Sequence, residues 1–387
     1  MVTHKRAVTG LLVIGGIFRE IITSGGDQSG KREVRLAGSG LYAALAASRL
    51  GTQVTLVAPV GRDDAVLACA LCEEAAVRPV LLLSPGASGT FALQRLSGAR
   101  PRPQYRPAGG FVDGDYSESI NADIVLVFGH PEWDPLLSPS LMSAADNATL
   151  VWDRQGWLSR TTGTSSASAI SAQRRIQVTN ADEVFDEFAT SPSEVIAGLP
   201  PAGFDASVIK DGRWGVHVVH GDRARQSVAA FEVEVHQTIG SGDVFAGALC
   251  AALAQRASLV EACETGAASA ATWISSEAAL PGMDFADAVA RLHGQPRLPV
   301  VSPERLREVT ATVVRGHQIG NVALAETACR ILEDIGLRTV ADMTRASEGV
   351  VVELCGEKLI VDATAPGDAR DLARRLAKFV TNALAVD

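Results

Sequence analysis

Cysteine, basic charge and long apolar runs are all scarce in this sequence, and each shortage excludes a class of protein. Six cysteines among 387 residues are too few for a disulfide scaffold. Lys and Arg number 35 against 44 Asp and Glu, a net charge of −9, which argues against a protein that mainly grips nucleic acid or an anionic membrane. No stretch approaches the roughly 18 apolar residues that a membrane span needs. A local basic pocket for a phosphate is still allowed.

The rest of the composition is that of an ordinary globular protein, with 47% hydrophobic and 20% charged residues. A chain of this length buries a large core without staples and allows two or three domains. Residues 1–18 pass from basic residues through a short apolar run into Gly15-Gly16, without a cleavage pattern. They predict an opening β-strand and not a signal peptide, so we expect a cytoplasmic protein.

The only close cysteine pair, Cys69-x-x-Cys72, lies in the apolar, Ala-rich stretch Val66–Val77, whose pattern is helical. A zinc site needs about four ligands, and neither a second such pair nor a pair of histidines accompanies this one. Core packing is therefore the favoured interpretation, with a redox or metal role as the alternative.

Short apolar runs alternate with Ala-rich helical patterns, which predicts an α/β fold with a doubly wound, mostly parallel sheet. Helices are predicted at Gly40–Leu50 and Ala65–Ala76. The predicted strands are Leu11–Ile14, Val54–Ala58, Ala122–Phe128, Thr149–Trp152, Ile176–Val178, Ala206–Ile209 and Gly215–Val219. Two segments interrupt this alternation: Leu81–Tyr116 suggests a small antiparallel β flap outside the main sheet, and Thr161–Ala172 a mobile loop.

A cluster of Gly and Pro near Leu292–Ser302 predicts a domain boundary, with one domain at 1–297 and a C-terminal α+β domain at 300–387. The second domain is predicted to contain helices at 303–317 and 320–335, a hairpin of Val350–Leu354 with Lys358–Asp362, and a final helix from about Asp368. Its mixed charges argue against nucleic-acid binding. We expect it to form a homodimer or to bind a protein partner.

The sharpest chemical signal is Thr238-Ile-Gly-Ser-Gly-Asp243, which leads into the helical pattern Val244–Leu253. A helix start carries unpaired N–H groups and partial positive charge, so it can hold an anion. Gly240 and Gly242 let the backbone approach that anion closely, and Asp243 could take a proton from an attacking hydroxyl. A plain glycine loop with Asp as a helix cap is the alternative.

This segment resembles the D-T-x-G-A-G-D signature of the ribokinase-like (PfkB) carbohydrate kinase family, with Gln at 237 and Ser at 241 as departures. Five further segments resemble that family in its order, over about residues 8–292. They are Ala37–Ala44 with Arg49-Leu-Gly51, Val60–Asp64, Asn180-Ala-Asp-Glu183, Ile209–Val216 and Gly266–Ala271. The resemblance implies a ribokinase-like fold with a C-terminal extension.

The resemblance further implies a kinase that uses ATP and Mg²⁺, with Asp243 as the base and the amides of Gly240, Ser241 and Gly242 at the transferring phosphoryl group. Asn180 and Glu183 would organise the magnesium, Glu183 through water. The remaining nucleotide-site candidates are Lys210, Gly212, Thr238 and Ala267. Lys210 could meet a phosphate as a point charge or be a solvated turn residue.

The sequence indicates the residues that would bind the acceptor substrate less fully than those that would bind the nucleotide. The resemblance places Gly38, Gly40, Tyr42, Thr90 and Gln155 near the substrate, and family members usually grip substrate hydroxyls with an Asp after the first strand. Here Arg19 or Glu20 stands near that position: Arg19 would favour an anionic or carbonyl-bearing substrate, and Glu20 a polyol. Arg19 could also lie on the surface. Tyr42 could stack on a ring or fill the space of a missing Asn.

Some features resemble a subgroup of uncharacterised bacterial members and plant inositol kinases. They are the Asp153–Arg160 segment, similar to D-P-Q-G-W-L-R, and Thr90-Phe91, similar to a T-F lid motif. The expected substrate is a sugar, polyol or nucleoside. The alternative is a catalytically demoted ribokinase-like protein that binds a nucleotide or other ligand and contacts a partner through its C-terminal domain.

Overall fold

The computed structural model describes most of the chain, in segments between residues 10 and 384. Gln155, and the predicted loop over 161–170, lie outside the described residues. The described residues are 10–24, 31–95, 103–106, 122–129, 146–154, 171–187, 192–292, 294–302, 306, 309–314, 320–334, 337–342, 350–361 and 369–384.

The larger unit is built from alternating strands and helices. Its strands are β1 (Gly10–Ile14), β2 (Phe18–Ser24), β3 (Lys31–Ala37), β4 (Gln53–Gly61), β5 (Val77–Ser84), β6 (Thr90–Arg95), β7 (Pro103–Arg106), β8 (Ile124–Phe128), β9 (Thr149–Asp153), β10 (Arg174–Asn180), β11 (Ala206–Lys210), β12 (Val216–His220) and β13 (Arg225–Val228). Its α-helices are α1 (Ser39–Arg49), α2 (Ala65–Glu74), α3 (Ala181–Glu187), α4 (Pro192–Ala197), α5 (Ser241–Ala254), α6 (Leu259–Ile274) and α7 (Phe285–Leu292).

Nine of these strands form one sheet in the order β13-β12-β11-β10-β9-β8-β1-β4-β5. All neighbours are parallel except β11–β12 and β12–β13, which are antiparallel. Alternate residues of β1 enter two different cores: Leu11 and Val13 pack in one, and Leu12 and Ile14 in the other. Because successive side chains of a strand point to opposite faces, both faces are covered. The predicted doubly wound, mostly parallel sheet is confirmed.

A second sheet of the larger unit has the order β3-β2-β6-β7 and forms the flap. It is mixed, because β2 and β6 run parallel while the outer pairs are antiparallel. The expectation of an antiparallel flap from Leu81–Tyr116 is therefore wrong in two respects. Leu81–Ser84 end β5, an edge strand of the main sheet, and half of the flap comes from residues 18–37.

Residues beyond about 300 form a separate α+β unit with its own core. It contains β14 (Thr310–Val314), α8 (Gly320–Asp334), β15 (Arg338–Asp342), β16 (Val350–Leu354), β17 (Glu357–Val361) and α9 (Ala369–Leu384). The sheet order is β15-β14-β16-β17. The second helix, the hairpin and the final helix are confirmed. The helix predicted at 303–317 is wrong over 310–314, where Thr-Ala-Thr-Val-Val is a central strand, because β-branched residues pack well on a pleated sheet.

One side chain of the larger unit joins the core of the C-terminal unit. Trp214, from the turn that follows β11, is 2% exposed and packs in the same hydrophobic cluster as Val301 and Leu306. The two units therefore share apolar contact directly after the strand that ends at Lys210.

Cys72 is fully buried in the main core, and burial raises the pKa of its thiol to about 12. A thiol with so high a pKa is inert as a nucleophile, in agreement with core packing. Cys69 is half-buried. Throughout the part of the chain that the structure describes, no cluster of three potential His, Cys, Asp or Glu ligands is present, and no helix is long and apolar enough to cross a membrane.

Helix α5 is packed tightly between α1 and α6 because small residues line the contacts. A Cβ atom at Gly247 would overlap the carbonyl oxygen of Ala43 on α1, and one at Gly266 on α6 would lie 2.7 Å from the Phe245 ring. These glycines bring α5 close enough to its neighbours to fix the position of its first turn.

We predict that Gly247→Ala destabilises the protein by roughly 1–3 kcal/mol, since the added methyl group overpacks a backbone contact. The measurement is the urea concentration at the midpoint of unfolding. Gly294→Ala is the matched control, because nothing lies within 4 Å of a Cβ at that position. Equal midpoints for the two variants would contradict the tight α1–α5 contact.

Candidate active site

Polar side chains meet where three central strands end. Asp153 ends β9, Asn180 ends β10 and Lys210 ends β11; Val178 pairs with Asp153, and Asn180 with Lys210. In open α/β sheets the crevice outside the carboxyl ends of the strands is where ligands bind. The first turn of α5 lies over this edge: a Cβ at Gly242 would be 3.2 Å from Lys210 Nζ and 3.9 Å from Asn180 Oδ1.

The loop at 237–242, the Gly-Ser-Gly loop, ends at the start of α5. Gly240 is the helix cap, with a left-handed φ of 78° that favours glycine. The N–H of Ser241 donates to the Thr238 carbonyl oxygen at 3.2 Å. The N–H groups of Gly240 and Gly242 have no hydrogen-bond partner among the described residues. Two open donors at a helix N-terminus can hold an anion.

Three contacts fix this loop from behind. The Gln237 side-chain amide donates to the carbonyl oxygens of Ser276 and Ala278 at 3.0 and 2.9 Å, and more weakly to that of Trp273 at 3.4 Å. Trp273 Nε1 donates to the Ile239 carbonyl oxygen at 2.7 Å. The departure from the family's Asp at 237 has a local reason here, because an amide donates to carbonyl oxygens and a carboxylate cannot.

The third contact is Tyr42, whose ring lies against Gly240: a Cβ there would be 2.7 Å from Tyr42 Cε2. Tyr42 is fully buried, packs on Trp273 with ring centroids 5.4 Å apart, and donates its hydroxyl to Glu20 Oε2 at 2.8 Å. Burial, together with the nearby Glu20 carboxylate, raises the pKa of Tyr42 well above its ordinary value. Of the two alternatives, filling space is the one the structure supports.

Lys210 carries the positive charge of the site. Its ammonium is 2.8 Å from Asp153 Oδ2, and its side chain is 10% exposed. Burial alone would lower the pKa of Lys210, but nearby carboxylates outweigh burial and raise it; they belong to Asp153, Glu183 and Asp243. The group is therefore a cation at neutral pH, beside the first turn of α5. Lys210 is a buried and paired residue at the end of β11, so the solvated-turn alternative does not hold.

Asn180 and Glu183 form a closed hydrogen-bonded pair at the end of β10. Glu183 Oε1 accepts from Asn180 Nδ2 at 2.9 Å, and Oε2 accepts from the Asn180 backbone N–H at 2.9 Å. Oε2 also accepts from Thr179 Oγ1 at 3.1 Å. These bonds hold the Glu183 carboxylate in one orientation at the edge where Lys210 and α5 meet.

Near the predicted position of the acceptor substrate, Arg19 is hydrogen-bonded to the turn that follows β4. It donates from Nη2 and Nε to the two oxygens of Asp64, at 2.8 and 2.9 Å, and this bond raises the pKa of Arg19. Glu20 instead lies 5% exposed beside Tyr42, and burial raises its pKa although Arg35 and Tyr42 oppose that rise. Of the two candidates near that position, Glu20 is the one that contacts Tyr42, whose ring lies against Gly240.

The other predicted residues lie at the start of α1, in the flap, in the turn after β11, in α6 and in the Gly-Ser-Gly loop. Gly38, with φ 123°, and Gly40 let the start of α1 approach the end of β1, where Gly15 and Gly16 lie. Thr90 begins β6 and pairs with Arg19 of β2. Gly212 lies in the turn after Lys210 with a φ of 55°, and Ala267 is buried in α6 at 8% exposure. Thr238 is exposed at the Gly-Ser-Gly loop. Gln155 lies outside the described residues.

Sequence reasoning missed several residues that the structure brings to the site. Asp153 follows an apolar strand and so lies at the ligand edge of the sheet, a signal that could have paired it with Lys210. Arg35 and Trp273 carried no such signal, because their partners are distant in sequence: Glu20 for Arg35, and Ile239 for Trp273.

The family model of the pfkB family carbohydrate kinases matches residues 165–284. Among similar solved structures, the ribokinase of Thermotoga maritima is 18% identical with a TM-score of 0.58, covering 73% of this chain and 99% of that chain. The Arabidopsis thaliana ribokinase, solved with ribose and ATP, is 18% identical with a TM-score of 0.58, covering 75% and 100%.

The adenosine kinase of Sinorhizobium meliloti is 15% identical with a TM-score of 0.61, covering 74% of this chain and 99% of that chain. No curated protein matches this sequence. The predicted resemblance to the PfkB family and the predicted ribokinase-like fold are confirmed. About a quarter of this chain has no counterpart in these three structures.

We predict that Gln237→Glu lowers the free energy of unfolding by about 2 kcal/mol or more, because a buried carboxylate would face carbonyl oxygens without donors. The measurement is again the urea midpoint. Gln255→Glu is the matched control: Gln255 also donates to a backbone carbonyl, that of Leu50, but at the surface. A surface substitution of this kind is expected to change the free energy of unfolding by no more than about 0.5 kcal/mol. An equally small change for Gln237→Glu would contradict the hydrogen bonds assigned to Gln237.

Proposed function

We propose that this protein is an ATP-dependent kinase that transfers the γ-phosphoryl group to a hydroxyl of a small sugar, polyol or nucleoside. The single observation that carries the proposal is the pair of open amides, Gly240 and Gly242, at the start of a helix whose first turn contains Asp243. The family match and the ribokinase-like fold support the same reaction class.

In the proposed reaction, Asp243 accepts the proton of the attacking hydroxyl as that oxygen bonds to the γ-phosphorus and the bond to the ADP oxygen breaks. The amides of the Gly-Ser-Gly loop and the Lys210 ammonium stabilise the charge on the transferring group, since fixed donors in a site shielded from water act strongly on developing charge. Of the three amides predicted from sequence, that of Ser241 already donates within the loop.

Magnesium fits this site as a companion of the nucleotide phosphates. Asn180 and Glu183 would hold it, Glu183 through water, because no group of three protein ligands is present in the described residues and because Mg²⁺ usually keeps several waters. When bound, the ion would supply positive charge to the phosphates. Three carboxylates, those of Asp153, Glu183 and Asp243, lie near the single ammonium of Lys210, and this excess of negative charge favours a bound cation.

The flap sheet, β3-β2-β6-β7, is proposed to shield the acceptor substrate from water, which would otherwise take the phosphoryl group. Its strand β2 carries Glu20 next to Tyr42, and Tyr42 touches the Gly-Ser-Gly loop. The flap and the loop thereby border the same space.

We predict that Asp243→Asn lowers the rate of product formation by at least roughly 100-fold, the lower end of the range for loss of a general base. Nucleotide affinity should stay within a few fold of the wild-type value. The measurements are ADP release from Mg·ATP with a panel of sugars, inositols and nucleosides, and calorimetric titration with nucleotide. Asp222→Asn, in the exposed turn after β12, is the control and should behave as the wild type.

If the Asp243→Asn variant keeps substrate-dependent turnover, the assignment of Asp243 as the base is contradicted. Nucleotide binding without turnover of any member of the panel would instead support the alternative, a ribokinase-like binding protein that has lost catalysis.

A further inference from the structure

Trp214 is the point where the larger unit enters the core of the C-terminal unit. It lies in the turn between β11 and β12 and packs in a hydrophobic cluster whose other described members all lie at residue 301 or beyond. Its ring is one of the largest apolar groups a protein can bury, and only 2% of the residue is exposed. The C-terminal unit therefore supplies the burial that this turn of the larger unit needs.

The turn itself, residues 211–215, has little rigidity of its own. Gly212 and Gly215 have left-handed φ angles of 55° and 93°, and glycine changes backbone conformation at low cost. Two hydrogen bonds close the turn: the Asp211 N–H donates to the Gly215 carbonyl oxygen at 2.9 Å, and the Trp214 N–H to the Asp211 carbonyl oxygen at 3.0 Å. The Trp214 ring, held in the core of the C-terminal unit, is thus an outside anchor for the turn.

The same turn begins directly after the residue that carries the positive charge of the candidate site. Lys210 is the last residue of β11 and pairs with Val216, the first residue of β12. Its Nζ is 2.8 Å from Asp153 Oδ2 and would be 3.2 Å from a Cβ at Gly242, in the first turn of α5. A displacement of the turn would move the Lys210 backbone, and with it the position of the ammonium relative to the Gly-Ser-Gly loop.

The linker before the C-terminal unit is fastened to the larger unit as well. Residues 296–298 pair with residues 230–232 through two backbone hydrogen bonds of 2.8 and 3.1 Å. Arg297 Nη1 donates to the Ala229 carbonyl oxygen at 2.9 Å, and its guanidinium carbon lies 3.5 Å from the centroid of the Phe231 ring. The linker is thereby fixed just before the Trp214 cluster begins, so the C-terminal unit is held close to the turn.

We propose that the C-terminal unit is part of the nucleotide-binding machinery: through Trp214 it holds the 211–215 turn, and thereby keeps the Lys210 ammonium in place for the nucleotide phosphates. Trp214 is then a positioning residue, because it acts through Lys210. The inference rests on the proposed function, in which ATP is the phosphoryl donor. Coupling of this kind is reciprocal, so a bound nucleotide stabilises the contact between Trp214 and the C-terminal unit.

The first experiment measures, by calorimetry on the full chain, the affinity for the Mg²⁺ complex of a non-hydrolysable ATP analogue. It compares the wild type with Trp214→Ala, Trp214→Phe and Leu259→Ala, at a temperature where every variant is folded. Leu259→Ala is the matched control for lost stability, because it truncates a side chain that is buried in the main core at the start of α6, outside the Trp214 cluster. KM for ATP and KM for the acceptor are the second readout.

We expect Trp214→Ala to weaken analogue binding by roughly three- to tenfold, within the range for residues that couple two sites. Trp214→Phe should restore most of the affinity, because it keeps an aromatic ring in the core of the C-terminal unit. Leu259→Ala should stay within about twofold of the wild type, as expected for an independent position. In Trp214→Ala, KM for ATP should rise while KM for the acceptor is unchanged, a split that a general loss of stability does not produce.

Hydrogen–deuterium exchange of the wild type is a second measurement, and it decides the question if Trp214→Ala does not fold. Peptides that contain Val301 and Leu306 should exchange more slowly when the analogue is bound, because the nucleotide stabilises their contact with Trp214. Analogue binding by Trp214→Ala within twofold of the wild type would overturn the proposal. Unchanged exchange of these peptides at saturating analogue would overturn it too.

These outcomes are distinguishable from a failure of the proposed function. Analogue binding without turnover of any acceptor would contradict the kinase assignment and leave the role of Trp214 intact. Equal analogue affinity in the wild type and Trp214→Ala would contradict only the role of Trp214. A wild type that does not bind the analogue would overturn both.

Discussion

The candidate site depends on one constraint: the Gly-Ser-Gly loop must present two backbone amides, those of Gly240 and Gly242, that no described residue satisfies. Such a loop needs support elsewhere, since open donors favour local rearrangement. Gln237 fastens its beginning to the end of α6, Trp273 binds the Ile239 carbonyl oxygen, and Tyr42 packs beneath Gly240. Tight packing of α5 on its neighbours then fixes where the amides point. The fold thereby fixes the position of the two open amides.

Around this loop the Lys210 ammonium has a carboxylate partner, and carboxylates outnumber it. Lys210 stands beside the helix start, where positive charge would repel the helix dipole, and Asp153 compensates it at 2.8 Å. In the flap, Arg19 is paired with Asp64 at 2.8 Å, and Arg35 is paired with Glu20 at 3.0 Å and with Glu33 at 3.9 Å.

Local patterns predicted most of the fold. Apolar runs of β1, β4 and β8 identify buried parallel strands, and Thr238–Asp243 identifies the anion loop, because these signals are contiguous in sequence. The helix predicted at 303–317 was wrong over 310–314, because the β-branched residues of Thr-Ala-Thr-Val-Val pack there as strand β14. The hairpin β2–β3 was missed, because its charged side chains are stabilised by contacts distant in sequence, such as Arg19 with Asp64. Tyr42 and Arg35 could not be assigned for the same reason.

The most direct test of the proposed anion site is hydrogen–deuterium exchange of the segment containing Gly240 and Gly242, measured without ligand, with adenosine, and with the Mg²⁺ complex of a non-hydrolysable ATP analogue that carries the γ-phosphoryl group. Open amides exchange readily, and an amide that donates to a phosphate is protected. The account predicts protection of this segment by the ATP analogue and none by adenosine. Unchanged exchange with the analogue, at concentrations where calorimetry shows that it binds, would contradict the placement of the γ-phosphoryl group at the start of α5.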